Sequence, residues 1–286
     1  MRETRGKTME NGDFIALIRD QVKTSSGNRL KPEAALRPEL AGMPFFEEPV
    51  LGFAAADDPY FGELKKPGVI GDHFLLPREW LSGARTVVSV FFPHSEAVKK
   101  ANRQTMEWPA DEWLQARIEG QAFIEELCRY TAAFLKDSGF SCAIPCFDPR
   151  FKTGNPAIRD NTRQDFYTSN WSERHVAHVC GLGTFGLSRG LITPKGISGR
   201  LASFISDAQF APTVRPYSGI SDYCTRCGAC VRNCPAGAIT LEEGKNHPLC
   251  SAFLDRTKEK HRPRYGCGKC QSAVPCESGI PAMGHS

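Results

Sequence analysis

In the N-terminal part of the chain, apolar positions recur at spacings that name their elements. Over residues 9–23, Phe14, Ile15, Leu17, Ile18 and Val22 keep to one side of a 3.6-residue turn, which predicts a short amphipathic helix. A Pro-rich connector follows from Lys31 to Pro49. ARTVVSVFFP, from Ala84 to Pro93, is β-branched and aromatic and is bounded by Gly83 and Pro93, so it reads as a buried strand. The clearest helix lies within residues 110–140. Leu114, Ile118, Phe123, Leu127, Tyr130, Phe134 and Leu135 form one broad stripe, and Gly139 closes it.

Residues 140–169 begin strand-like and become a long loop rich in Pro, Asn and Arg, and loops of that length inside a compact domain tend to be functional. Cys142 and Cys146 at its start lack a third ligand nearby and read as small core residues, as do Cys128 and Cys180. Asn170, with Glu173 three residues later, has capping-box spacing and predicts a helix that ends at Gly181. Gly181, Gly183 and Gly186 spell GxGxxG. A dinucleotide fingerprint, however, follows a strand and opens a helix, whereas this one follows a helix and leads into GLIT and RLASFIS, read as a strand pair. The glycines are read instead as a turn that brings backbone close to a flat cofactor or a cluster, with a purely structural turn as the alternative. His175 and His178, three residues apart on the same helix, share a side from which to face a cofactor.

Towards the C-terminus apolar periodicity gives way to cysteine. Eight of the 12 cysteines lie between Cys224 and Cys276. CTRCGACVRNCP places Cys224, Cys227, Cys230 and Cys234 in the CxxCxxCxxxCP run that holds cubane iron-sulfur clusters, with the fourth cysteine facing a second cluster. Cys250, Cys267, Cys270 and Cys276 supply the remaining ligands. Crossed ligation then predicts one 4Fe-4S cluster on Cys224, Cys227, Cys230 and Cys276, and a second on Cys234, Cys250, Cys267 and Cys270. Zinc is the competing reading, although a zinc ribbon has no use for a third cysteine two residues on. A disulfide framework is the other, and it fits poorly with a chain that opens on no secretory leader. Residues 216–286 carry few large apolar side chains, chiefly Ile220, Val231, Ile239, Leu241, Phe253 and Leu254. Clusters are therefore expected to serve as the core of this small domain, after a larger α/β domain over residues 1–215.

Composition alters this picture little. The 286 residues, 41% hydrophobic and 24% charged, are those of an ordinary soluble protein. The formal charge of +4 counts cysteines as neutral. Each cubane with its four thiolates carries about −2, which brings the loaded chain to about zero and gives no sign of a general nucleic-acid binder. One basic run, RTKEKHRPR, lies between two cluster ligands, where it offsets the clusters' charge, docks an acidic electron donor or is simply a solvated loop. No apolar run reaches the ~20 residues of a membrane span, and the expectation is a cytoplasmic protein with no membrane partner.

SERHVAHVCGLGTFG, the LITP strand, the cysteine run and the closing CQSAVPCESGIP resemble the epoxyqueuosine reductases and their relatives the reductive dehalogenases, and PREWLSGARTVVSVFFPH resembles that family's first core strand. The resemblance covers residues 45–282. It implies an α+β chain: a nitroreductase-like α/β domain that holds base-off cobalamin, followed by a bacterial-type two-cluster ferredoxin domain that delivers electrons to the cobalt. It implies a low-potential donor such as ferredoxin or flavodoxin, and a small-molecule substrate or partner protein. The family's acidic proton donor stands six residues before the position matched by Glu173; here that residue is Tyr167, and dehalogenases use a tyrosine as acid. Tyr167 is thus the expected donor, with a packed aromatic as the alternative. No helical repeats of the kind that help tRNA-modifying members grip RNA are read in these residues, so nucleic acid is not an expected partner. A non-catalytic electron-transfer or cobalamin-handling protein is the alternative function.

Overall fold

The protein is described from a computed structural model over residues 9–282. Along the chain its elements are α1 (Asn11–Thr24), β1 (Val50–Ala55), α2 (Pro59–Leu64), α3 (Pro77–Trp80), β2 (Thr86–Pro93), α4 (Glu96–Gln104), α5 (Asp111–Asp137), β3 (Cys142–Ala143), α6 (Glu173–Val179), β4 (Thr184–Phe185), β5 (Leu191–Ile192), β6 (Gly199–Ser206), α7 (Ala229–Arg232), β7 (Ile239–Thr240), β8 (Gly244–Lys245) and α8 (His247–His261). The main sheet is antiparallel in the order β1-β2-β6-β3, with Val50 opposite Phe91, Thr86 opposite Ser206 and Pro93 opposite Gly199. This is a mixed helix and sheet fold, as the sequence implied.

Every residue of β2 is buried because both faces of the sheet are covered, which is why its sequence is a continuous apolar run and not an alternation. Val88, Val90, Phe92, Ala202 and Phe204 point to one side, against Phe14, Ile18 and Val22 of α1 and Leu127 and Leu135 of α5. Val87 and Ile205 point to the other, against Val176 and Val179 of α6, Phe61 of α2 and the buried Trp171. The α5 stripe runs through Leu127, Thr131 and Leu135, one turn apart, so Tyr130 is turned outward at 40% exposure instead of joining it.

Two local expectations change. Asn170 does not cap α6. Its Oδ1 accepts from the Lys152 amide and its Nδ2 donates to the Arg150 carbonyl, both at 2.8 Å, so it pins the long loop instead. Ser172 occupies the N-cap position without a side-chain cap bond. GLIT and RLASFIS do not pair with each other: β5 pairs with β4 in a small hairpin, while β6 runs at the heart of the main sheet. Both segments are β, but short hairpin turns take the nearest partner and the longer apolar strand goes to the core.

The cysteine-rich C-terminal region has little core of its own. Of its large apolar residues, Ile239, Phe253 and Val274 are buried, while Ile220 is 61% and Leu241 42% exposed. It is tied to the sheet region by polar contacts: the Ile197 amide donates to the Cys276 carbonyl, Arg103 pairs with the buried Glu277, and the Lys269 ammonium reaches α4. The basic run lies at the end of α8 and just beyond it, where Arg256 and Lys260 sit over the Trp108 ring.

Candidate functional site

The eight clustered cysteines part into two cavities. Cys224, Cys227, Cys230 and Cys276 line a small one, closed on its inner side by Ile192, Ile197 and Val274. Cys234, Cys250, Cys267 and Cys270 line a second, of about 610 Å³. The local backbone explains how tight loops present these sulfurs. In both Cys-Gly-x-Cys runs the glycine is left-handed, Gly228 at φ 72° and Gly268 at φ 70°, and a side chain at Gly268 would also collide with the Trp113 indole. Backbone amides approach two sulfurs, Leu187 N to Cys224 Sγ at 3.4 Å and Ala238 N to Cys234 Sγ at 3.3 Å.

Burial, with crowding by neighbouring thiols, pushes Cys230 up to about 11 and Cys276 to about 12, and burial likewise lifts Cys267 to about 12. Burial also raises Cys270, while Lys245 and Arg174 pull it back. Metal-free, these are neutral thiols, and loading iron must expel their protons. Among the described residues, no group of three or more His, Cys, Asp or Glu converges on a single-ion position. A cubane is larger than one ion and asks for a wider cage.

The larger cavity opens at the end of the sheet, where β2 leaves and β6 begins. Its far wall is built by Phe91, Trp171, Thr168, Ser169, Glu173 and Arg174, with Trp113 and Arg117 from α5 and Arg200 from β6. Burial raises the Glu173 carboxyl to about 7 and a Ser203 hydrogen bond holds it back, while its Oε2 is buried without a partner. Arg174 is enclosed by protein yet accessible, because what it faces is the open cavity; burial lowers its pKa and Cys270 and Cys250 oppose that. Burial and then Arg117 and Arg174 lower Arg200 to about 10. His94, buried between Phe46 and Trp113, is held neutral, down to about 3, by burial and then by Arg200, Lys99 and Arg117.

The remaining sequence-predicted residues do not line this cavity. Tyr167 donates its hydroxyl to the Asn161 carbonyl at 2.9 Å and stacks on His247. His175 meets Ser172 at 2.8 Å, and His178 bonds the Gly183 carbonyl at 2.8 Å and stacks on Tyr217. The glycine turn brings backbone close to the protein itself at Gly181 and Gly183, while Gly186 lines the small cysteine cavity. A Cβ at Gly183 would stand 1.9 Å from the Ile192 carbonyl oxygen, and one at Gly181, φ +83°, 2.9 Å from Thr213; Gly186 lies against Ile192 in the same hairpin. Sequence reading missed Arg117, Arg200 and Lys269. The first two left a faint signal: Arg117 sits one turn from the buried Trp113 on the inner side of α5, and Arg200 opens an otherwise apolar strand.

A family model of 4Fe-4S binding domains matches residues 219–240. The epoxyqueuosine reductase of Listeria monocytogenes is 33% identical over 135 residues, 43% of this chain and 34% of the relative. That of Staphylococcus aureus is 32% identical over 119 residues, 38% of this chain and 30% of the relative. By these likenesses the chain resembles the epoxyqueuosine reductases over part of their length and carries a 4Fe-4S binding match. It spans about a third of the length of these curated relatives. Its fold agrees. A solved epoxyqueuosine reductase superposes with a TM-score of 0.50 at 21% identity, over 81% of this chain and 62% of that one. A catabolic reductive dehalogenase does so with a TM-score of 0.52 at 17% identity, over 82% and 30%. An epoxyqueuosine reductase holding an epoxyqueuosine-modified tRNA stem loop reaches 0.50 at 19%, over 94% and 67%. No helix among the described residues of this epoxyqueuosine reductase-like chain is long and apolar enough to cross a membrane.

Proposed function

We propose that the chain is a reductase with two 4Fe-4S clusters, divided near residues 215 and 216 into an α/β domain and a two-cluster ferredoxin domain. One cluster sits on Cys224, Cys227, Cys230 and Cys276, the other on Cys234, Cys250, Cys267 and Cys270. The observation that carries this reading is the partition of the eight cysteines: two cavities, each lined by one crossed ligand set, with the second set opening onto the wall of the sheet domain. Electrons enter at the first cluster, whose ligand Cys227 is exposed to a low-potential ferredoxin or flavodoxin, and leave through the second.

The acceptor occupies the part of the larger cavity beyond the second cluster, along the wall of the sheet domain. Thr168, Ser169 and Ser172 would hold a base-off corrinoid there, and their polar groups suit its amide periphery. When bound, its cobalt supplies low-potential reducing chemistry. Glu173 holds a proton at the cavity wall and takes the donor's part that the sequence assigned to Tyr167. Trp171 fixes the start of α6, its Nε1 donating to Ser203 at 2.9 Å, and so keeps Glu173 in place.

Anaerobic reconstitution with iron, sulfide and cobalamin tests the reading. Two clusters give about eight irons per chain with a broad visible absorption, and a retained corrinoid adds its own bands. Iron at that level without a retained corrinoid favours the electron-transfer alternative; a corrinoid bound but never turned over favours cobalamin handling. A zinc-loaded, colourless protein overturns all three. The substrate assay includes an epoxyqueuosine-modified stem loop beside small molecules, since a solved relative holds one.

A further inference from the structure

The larger cavity carries more positive charge than a cluster can neutralise. Five cationic side chains line it, Arg117, Arg174, Arg200, Lys245 and Lys269, against the single acid Glu173. Three of the five are accounted for. Arg174 and Lys245 lie in the field of Cys270, so the charge of about −2 on a thiolate-held cubane balances these two. Lys269 is satisfied by α4, its Nζ donating to both oxygens of Asn102 at 2.8 Å and to Thr105 Oγ1 at 3.0 Å.

Arg117 and Arg200 are left. Neither forms an ion pair among the described residues. Arg117 is stacked on Tyr265, Arg200 donates one NH₂ to Gln121 at 2.6 Å, and the Nε of each is buried with no hydrogen-bond partner. The two are near enough for Arg117 to depress Arg200. Two half-buried like charges, each with a buried and idle Nε, cost free energy unless an anion joins them. Planar guanidiniums with free N–H edges are the groups that grip carboxylate and phosphate oxygens in pairs.

We propose that Arg117 and Arg200 form an oxyanion subsite in the cavity, built to take a phosphate or carboxylate group of the molecule bound there. The proposal rests on the reading of the cavity as the acceptor site, and it names a chemical feature of what enters. Two sources offer this chemistry: the phosphodiester of a corrinoid nucleotide tail, and an anionic substrate.

The test is titration of the iron-loaded protein with inorganic phosphate and with acetate by isothermal calorimetry, with and without cobalamin. Saturable binding that weakens about tenfold or more in Arg200→Gln and Arg117→Gln, recovers in part in Arg200→Lys and persists in Arg129→Gln, an exposed cation removed from the same helix, supports the subsite. Loss of that binding after cobalamin loading assigns it to the cofactor's phosphate; persistence assigns it to the substrate. Equal binding in wild type and the Gln variants, or none at millimolar anion, overturns the proposal. Iron content and the visible spectrum, measured on each sample, report separately on whether the clusters are present.

Discussion

The Lys269 ammonium donates to the main-chain and side-chain oxygens of Asn102, each at 2.8 Å, across the seam between α4 and the second cysteine cavity. Both residues are buried, and Asn102 also donates to Ser272 Oγ at 2.9 Å and to the Cys267 carbonyl at 3.2 Å. Asn102→Ala leaves a buried ammonium short of acceptors and should cost about 2–3 kcal/mol. Asn102→Ala with Lys269→Met removes both partners and should cost less than the sum of the single changes. Urea titrations followed at the cluster absorbance measure both, and strict additivity would deny the coupling.

Glu173 sets a pH dependence whose direction is fixed. Its folded carboxyl titrates near 7, above its ordinary 4.5, because burial disfavours the anion and the hydrogen bond from Ser203 offsets this only in part. Its charge in turn helps to raise the thiols of Cys128, Cys146 and Cys180, which burial already keeps neutral over this range. Folding therefore takes up a proton between pH 4.5 and about 7. The stability Glu173 contributes is full below the lower value and is lost as pH rises through the upper one. Glu173→Gln should flatten that part of the stability profile, and the infrared carboxylic-acid band of wild type should disappear near pH 7.

Tyr167→Phe should leave turnover on a confirmed substrate unchanged. The hydroxyl is committed to the Asn161 carbonyl on a ring stacked with His247, away from the cavity lining. A large drop in rate with intact clusters would return the proton to Tyr167 and remove Glu173 from that role.

Cluster loss should melt the C-terminal region and leave the sheet domain folded. Ile239, Phe253 and Val274 are buried there, but Ile220, Leu241, Leu249 and Ile280 are exposed, so apolar burial is too small to hold the loops. Circular dichroism of an anaerobically chelated sample should show two transitions, the upper one belonging to the sheet. One unchanged, fully cooperative transition would refute the dependence.

What the sequence disclosed and what it hid follow from the range of the forces involved. The strand from Thr86 and the helix from Asp111 were legible because continuous burial and 3.6-residue periodicity are local patterns. The cysteine spacing was legible for the same reason, since a loop of two intervening residues is a local constraint. Asn170 misled because its capping oxygen had a non-local competitor, the Lys152 amide, which no spacing rule contains. His175 and His178 do share a helix side, but Phe185 and Tyr217 come from later in the chain to cover it. Arg117, Arg200 and Lys269 acquire meaning only when α5, β6 and the last cysteine loop meet around one cavity, and charges brought together from distant positions leave no periodic trace.

Crossed ligation can be separated from sequential ligation by pairs of substitutions. If Cys276 shares a cluster with Cys224, each single Ala variant falls from about eight irons to about four, and the double variant falls no further. If Cys234 belongs to the other cluster, Cys224→Ala with Cys234→Ala leaves almost no iron. Sequential ligation reverses both results, because Cys224 and Cys234 would then hold the same cubane and Cys276 the other. The geometry favours the first outcome: Cys276 lines the cavity of Cys224, Cys227 and Cys230, while Cys234 lies in the other with Cys250, Cys267 and Cys270. Iron analysis and electron paramagnetic resonance of the dithionite-reduced variants decide it, since two reduced cubanes close together broaden each other's signals and a lone one gives a simple spectrum.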